Sequence, residues 1–420
     1  MTVPAQPRSV VVVGAGLAGS RTVVALRAQG FDGHVTLLGA EGVAPYDRPP
    51  LSKHLFDRSA PAWLADELGG DALALADEVR LDARALGLRV GAGSVDVTTA
   101  DGPVTADAAV IATGSLPVRP AGWEAATTLH TAVDAARLRT RLAPGTRLVV
   151  IGAGWIGAEV AGVAAAAGVE VTVVEALGAP LTSALGTAVG ALTEPWYAAA
   201  GVELITGERV AHVRSDGVVL AGGRDLDADV VLAAVGARPS TGWLAGSLPL
   251  DEDGSVRVDG NFAPRGGPWH VRAVGDVSRR VSARHGLVAG GHWDGALRGP
   301  VIAVRSLLRP ASAPGPDDDP APYVFSTQLG HELAMFGQPD PADDVVLRGE
   351  PPTGPSAAPG DGWTALWFSP GTDVLTAVLA VDRPRDVAAA RRLFTGPDLP
   401  RLDRGRAADP TLPLRGSVTG

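Results

Sequence analysis

Two stretches of this chain follow one plan, and together they leave few folds open. The later one reads Leu148-Val-Val-Ile, then Gly152-Ala-Gly154-Trp-Ile156-Gly157-Ala-Glu159, an alanine-rich run, and an apolar strand ending in Glu175. Strand, G-x-G-x-x-G turn, helix and a second strand closed by an acid describe a dinucleotide-binding βαβ unit. The glycines permit a tight turn and close approach of backbone to a pyrophosphate, which the helix N-terminus faces. Glu175 stands roughly twenty residues beyond them, where a carboxylate can hold a ribose 2′-OH. No Lys, Arg or His occurs between Leu148 and Glu208 to neutralise a 2′-phosphate, so the unit reads as an NAD site rather than an NADP site.

The earlier copy opens with Arg8-Ser-Val-Val-Val-Val-Gly14-Ala-Gly16-Leu-Ala-Gly19, runs as helix through Leu26 to near Gly30, and continues as the strand Val35–Leu38 towards Glu41. Two such units imply two dinucleotides. The apolar run Val110-Ile-Ala-Thr113-Gly114 ends the first part of the first domain. The second unit is entered through a helix around Thr131–Leu142 and closes with Val230–Gly236, a strand meeting Gly and Pro. Trp269–Val277 then delivers Gly275 and Asp276 to the C-terminal edge of a sheet, the usual place for ligand contacts.

These positions predict an inserted domain in an α/β chain: residues 1–115 and 238–315 as the two parts of one nucleotide domain and 116–237 as the NAD domain. Residues 310–322 read as a Pro- and Asp-rich linker. β-like runs at Tyr323–Leu329, Leu333–Gly337, Asp344–Leu347, Trp363–Phe368 and Val374–Val381, then a helix at Pro384–Phe394, predict an α+β domain over 316–403, and 404–420 reads as a flexible tail.

Composition narrows the chemistry. The chain has 420 residues, a formal charge of −10 and no cysteine. Acidity argues against nucleic acid as the main partner. The missing thiols exclude disulfides, thiolate metal sites and a redox-active C-x-x-C pair, and no His cluster suggests a metal. No apolar run reaches membrane-spanning length and the N-terminus lacks an apolar signal core, which predicts a cytoplasmic protein.

Lys53 is the only lysine among 36 basic residues. It ends Pro45-Tyr-Asp-Arg48-Pro-Pro-Leu-Ser-Lys53, whose prolines predict an extended, rigid loop. Residues 277–310 depart from the acidic average, with Arg279, Arg280, Arg284, Arg298, Arg305 and Arg309 against the single acid Asp294. Such a patch could steer an acidic macromolecule.

With both fingerprints, Arg48-Pro-Pro-Leu-Ser-Lys53, Ala112-Thr113-Gly114, Gly275-Asp276 and Gly291-His292-Trp293 in order, the chain resembles the FAD-dependent, NADH-using ferredoxin reductases. These include putidaredoxin, rubredoxin and dioxygenase ferredoxin reductases, with apoptosis-inducing factor a more distant relative. The resemblance implies a glutathione-reductase-like fold of two Rossmann-like domains with a C-terminal α+β domain. It also implies that Gly14, Gly16, Gly19 and Glu41 hold the ADP half of FAD, with Thr113, Gly114 and Gly275 in the same site. Arg48 and Lys53 would approach the isoalloxazine, Asp276 the ribityl or pyrophosphate region, and Trp293 the pyrimidine edge. Gly152, Gly154, Ile156, Gly157, Glu175 and Gly236 would hold NADH. Glu159 matches the family glutamate that pairs with the motif lysine near flavin N5; a partly desolvated Lys53 needs such an anion.

Some positions depart from the family pattern. Relatives commonly read Glu-His-Trp where this chain has Gly291-His292-Trp293, and a Trp-Ser-Asp-Gln type segment where it has Phe325-Ser326-Thr327-Gln328. The function implied is transfer of electrons from NADH, one at a time, to a [2Fe–2S] ferredoxin serving a cytochrome P450 or a Rieske oxygenase, in a monomer or homodimer. Two other readings keep the same cofactors. One sends electrons to oxygen or a quinone, and the other makes the protein a redox-responsive binding module like apoptosis-inducing factor.

Overall fold

In a computed structural model, residues 6–310, 318–351, 354 and 362–419 are described, so the expected linker at 310–322 lies largely outside them. The chain divides into two compact units. One takes residues 1–47, 62–116 and 238–323; the other takes 48–61, 117–237 and 324–420.

The first unit is built on a five-stranded parallel sheet in the order Val271–Ala273, Ala108–Ile111, Ser9–Val13, His34–Leu38, Glu78–Arg80. Its central strand carries four consecutive valines, each at most 1% exposed. A run of β-branched side chains buried on both faces suits the middle of a parallel sheet. The helices Leu17–Ala28 and Trp293–Leu308 pack against each other and against this sheet. An antiparallel ribbon of Gly87–Val90, Val95–Thr99 and Gly102–Ala106 completes the connection back to the sheet.

In the second unit a parallel sheet runs Glu203–Ile205, Glu170–Val174, Arg147–Ile151, Val230–Ala233. The helix leading into it, Ala132–Arg141, starts at a capping box: Thr131 takes the Asp134 N–H while the Asp134 carboxylate takes that of Thr131. The same unit holds an antiparallel sheet in the order Tyr323–Gln328, His331–Gly337, Leu375–Val381, Trp363–Phe368, Asp344–Arg348, followed by the helix Pro384–Leu393.

Two expectations need correcting. The proline-rich segment is not extended throughout, because Pro50–Lys53 forms one helical turn with Pro50 in its first positions. Proline is tolerated there, since its missing N–H would have no intrahelical acceptor anyway. Nor is the C-terminal segment a loose tail: Arg404–Ala408 is helical and Leu414–Ser417 forms a 3₁₀ turn. Arg348, 2% exposed, holds it by donating to the carbonyls of Ala407, Asp409 and Leu412 while its Nε donates to Asp386. Arg383 and Thr364 also bind Asp386, so Arg348→Met leaves that acid partnered. The substitution should cost about 2–3 kcal/mol, the scale of lost charge-assisted hydrogen bonds. Urea unfolding would measure it, with faster amide exchange confined to residues 404–417.

Among the described residues no helix is long and apolar enough to cross a membrane.

Candidate active site

In the first unit the chain is pinched at three glycines. A Cβ on Gly14 (φ 113°) would lie 2.2 Å from the Ala112 carbonyl oxygen, and one on Gly19 would lie 1.7 Å from that of Gly14. Gly275 (φ 71°) brings the later strand so close that an added Cβ would meet the Ala18 Cβ at 2.9 Å. Gly16, by contrast, faces open space. No side chain caps the helix that begins after it, so its first N–H groups are free for an anion.

Around this cradle stand the other residues expected at the flavin. Glu41 accepts from the Tyr46 hydroxyl at 2.5 Å. The Thr113 hydroxyl donates to the Ser240 carbonyl at 2.7 Å, and the Gly114 carbonyl accepts the Ser240 N–H. Asp276 accepts from the Ser115 hydroxyl at 2.8 Å and the Gly291 N–H at 3.2 Å. Trp293 opens its helix with Nε1 donating to Asp47 at 2.8 Å. Burial pushes the pKa of the adjacent His292 below its usual range, against the raising effect of Asp276 and Asp294. An open glycine face, uncapped helix N–H groups and an acid past the second strand fit the ADP half of FAD.

The second loop repeats the construction within its own unit. A Cβ on Gly152 would lie 2.5 Å from the Ala234 carbonyl oxygen and one on Gly157 would lie 2.0 Å from that of Gly152, while Gly154 faces open space and caps its helix without a side chain. Glu175 accepts the N–H of Ala153 at 2.7 Å and of Leu177 at 2.8 Å, so the acid expected at the ribose also braces the loop. Ile156 is 48% exposed beside it. Gly236 (φ 107°) accepts the Val118 N–H. Below the sheet Tyr197 is buried; desolvation first, then the Glu175 charge, raise its pKa. Glu175→Ala should therefore weaken NADH about tenfold, the value of one charge-assisted hydrogen bond. Adding Leu177→Arg at the exposed neighbour should move preference towards NADPH, read as the ratio of the two kcat/KM values.

Also in the second unit, Lys53 and Glu159 meet. The lysine ammonium donates to Glu159 Oε1, with side chains 12% and 7% exposed respectively. Ser52 Oγ donates to Oε2, Ser326 Oγ to Oε1, and Gln328 Nε2 to Ser326 Oγ at 3.1 Å. Lys53 Nζ lies 5.4 Å from the centre of the Phe325 ring, within range of a cation–π attraction. Arg48, expected beside Lys53 at the flavin, donates to the His130 carbonyl. The sequence reading missed Ser52, Ser326 and Gln328. Ser52 lies beside Lys53 in its motif and Ser326 and Gln328 lie in the Phe325–Gln328 segment, but nothing local ties the latter two to Glu159, 167 positions or more away.

The arginines expected as a docking patch are largely answered by carboxylates. Arg280 is 6% exposed and binds Asp319, which Arg284 also engages, and Arg305 pairs with Asp318. Arg279 pairs with Asp253 and Arg298 with Asp294. Burial, then the charge of Arg284, pushes the pKa of His285 in this cluster down to about 4. The run expected to face only Asp294 is thus in part an internal ion-pair network, because Asp253, Asp318 and Asp319 lie outside the 277–310 window.

Residues 8–292 match the pyridine nucleotide-disulphide oxidoreductase family and residues 323–418 the reductase C-terminal family. The chain is 34% identical to the ferredoxin–NAD(+) reductase component of the anthranilate 1,2-dioxygenase system of Burkholderia cepacia, over 96% of this chain and 98% of that one. It is 31% identical to rhodocoxin reductase of Rhodococcus erythropolis over 97% and 93%. Among solved structures, Fdr9 superposes with a TM-score of 0.84 at 38% identity, covering 97% of this chain and 99% of that one. The putidaredoxin reductase–putidaredoxin covalent complex gives 0.85 at 26% identity, covering 98% of each. The chain belongs to the pyridine nucleotide-disulphide oxidoreductase family, as an oxidoreductase using FAD and NADH and carrying a reductase C-terminal domain.

Proposed function

We propose that the protein is a cytoplasmic reductase that takes hydride from NADH onto FAD and releases the electrons singly to a [2Fe–2S] ferredoxin, which supplies a cytochrome P450 or a Rieske oxygenase. The observation that carries this reading is the buried Lys53–Glu159 pair in a chain with two glycine cradles and no cysteine. Members of this family that work through a disulphide need a thiol pair; this chain has none, so electrons must leave the flavin directly. Relatives named as ferredoxin–NAD(+) reductase components match over nearly their whole length, which supports a ferredoxin as acceptor. Flavin accepts two electrons and can release them one at a time; the protein contributes binding, orientation and charge.

Lys53 and Glu159 are the proposed pair serving the reacting part of the flavin. Gly14, Gly16, Gly19, Glu41, Thr113, Gly114, Gly275, Asp276 and Trp293 are proposed to hold FAD. The second loop with Glu175 and Gly236 is proposed to hold NADH. For the acidic partner, docking is proposed through the exposed Arg298 and Arg309 and the half-buried Arg279; Arg280 and Arg284 are too enclosed to meet a macromolecule.

Anaerobic mixing with NADH tests the reading: the flavin absorbance should bleach within seconds and return on adding a purified oxidised [2Fe–2S] ferredoxin, more slowly as salt rises. A flavin that stays oxidised would leave a binding module as the surviving account. Reoxidation by oxygen or a quinone but not by ferredoxin would make the protein an oxidase or quinone reductase.

A further inference from the structure

Glu159 is held more elaborately than a salt bridge requires. It sits in the first turns of the helix Trp155–Ala166, 5% exposed, and its carboxylate receives Lys53 and Ser326 on one oxygen and Ser52 on the other. Ser326 and Gln328 are each 1% exposed. A serine hydroxyl has one proton, and a carboxylate can only accept. The Ser326 proton is therefore committed to Glu159, and the Gln328 amide must donate to the Ser326 oxygen. Every donor in the chain Gln328→Ser326→Glu159 points towards the carboxylate.

The backbone is shaped to bring the strand in. Gly162 lies on the same helix, and a Cβ there would stand 2.8 Å from the Leu329 nitrogen, so only glycine lets the turn after Ser326 pack this closely. Leu329 itself adopts a left-handed φ of 51°, a conformation that disfavours a branched side chain.

We infer that Ser326, backed by Gln328, is a positioning residue through which the C-terminal domain fixes the Glu159 carboxylate and hence the Lys53 ammonium for flavin reduction. This rests on the reductase reading. Without the Ser326 hydroxyl, Oε1 keeps only the lysine and the Gln328 amide loses its acceptor. The pair can then shift together, although the binding surface for NADH is untouched.

Ser326→Ala should lower the limiting rate of flavin reduction by NADH about tenfold, the worth of one hydrogen bond to a charged group, with FAD content and the NADH dissociation constant unchanged. Ser326→Thr, which keeps the hydroxyl, should restore most of the rate. A second measurement needs neither turnover nor flavin. The chain has no cysteine, so Ser326→Cys introduces a single thiol of nearly the same shape. Beside the Glu159 carboxylate its thiolate absorbance should appear only above the ordinary thiol pKa of about 8.5. Adding Glu159→Gln should bring the titration down, because Lys53 then acts unopposed. A Ser326→Ala rate equal to that of the parent protein would overturn the inference, and so would a thiol indifferent to Glu159→Gln. If NADH fails to reduce the parent protein, the reductase reading falls by itself, and the thiol titration still decides whether Ser326 faces the carboxylate.

Discussion

Lys53→Met should destabilise the protein by about 3–5 kcal/mol, because it strands a buried carboxylate whose remaining donors are neutral hydroxyls. With Glu159 5% exposed, solvent cannot replace the lysine. Methionine conserves the length of the apolar stem and its packing beside Phe325, so the lost quantity is the charge. Urea unfolding of the single and paired variants separates the causes. Lys53→Met with Glu159→Met removes both charges and should recover most of the stability, whereas a cycle with no coupling would mean that the two groups act independently. Kinetics should diverge from stability. FAD should remain bound to Lys53→Met, since the glycine cradle is untouched, while flavin reduction slows in the single and the paired variant alike. A double variant that regained the rate along with the stability would remove the pair from the chemistry.

That pair marks the limit of what could be read from residues alone. The glycine loops were legible because their constraints are local: a tight turn, an uncapped helix start and an acid at fixed spacing all lie within one βαβ unit. The strand limits of the C-terminal sheet were legible for a similar reason, since Trp363–Phe368 and Leu375–Val381 are apolar runs bounded by turn residues. Lys53 and Glu159 could be matched only through family resemblance, and their hydroxyl donors, although they lie in the Arg48–Lys53 and Phe325–Gln328 segments, carried no sign of a role at Glu159. Ser326 sits in a segment the family comparison singles out, but no local pattern aims its hydroxyl at a carboxylate on a distant helix.

The misread segments share a cause. Residues 404–417 look loose because their composition is polar and poor in apolar periodicity; their order comes from one buried arginine, Arg348, reaching three backbone carbonyls from another part of the domain. The arginines of 277–310 look opposed by Asp294 alone because a charge count over a window ignores Asp253, Asp318 and Asp319, which close on them from outside it. Charge pairing between distant segments has no periodicity, so composition misjudges such regions in both directions. It took a tethered segment for a loose one and a partly paired cluster for one facing a single acid.

The glycines of the second loop separate two reasons for conserving space, and substitution should resolve them. Gly157→Ala places a methyl 2.0 Å from the Gly152 carbonyl oxygen, a distance no Cβ tolerates, so helix and turn must part. The N–H groups aimed at the pyrophosphate then lose their alignment. Flavin reduction by NADH should fall by at least about a hundredfold, the scale expected for an ångström of misplacement. Gly154→Ala meets nothing within 4 Å, so the protein itself should accept it, with unfolding changed by no more than about 1 kcal/mol. Its methyl instead occupies the face left open for the dinucleotide and should weaken NADH about tenfold by holding the phosphate from its donors. FAD content should be normal in both, because the first cradle is a separate loop in a separate unit. Measured together, stability should drop for Gly157→Ala and hold for Gly154→Ala, while NADH affinity drops for both. Equal loss of stability in the two would mean that the open face at Gly154 is filled by protein and does not serve the nucleotide.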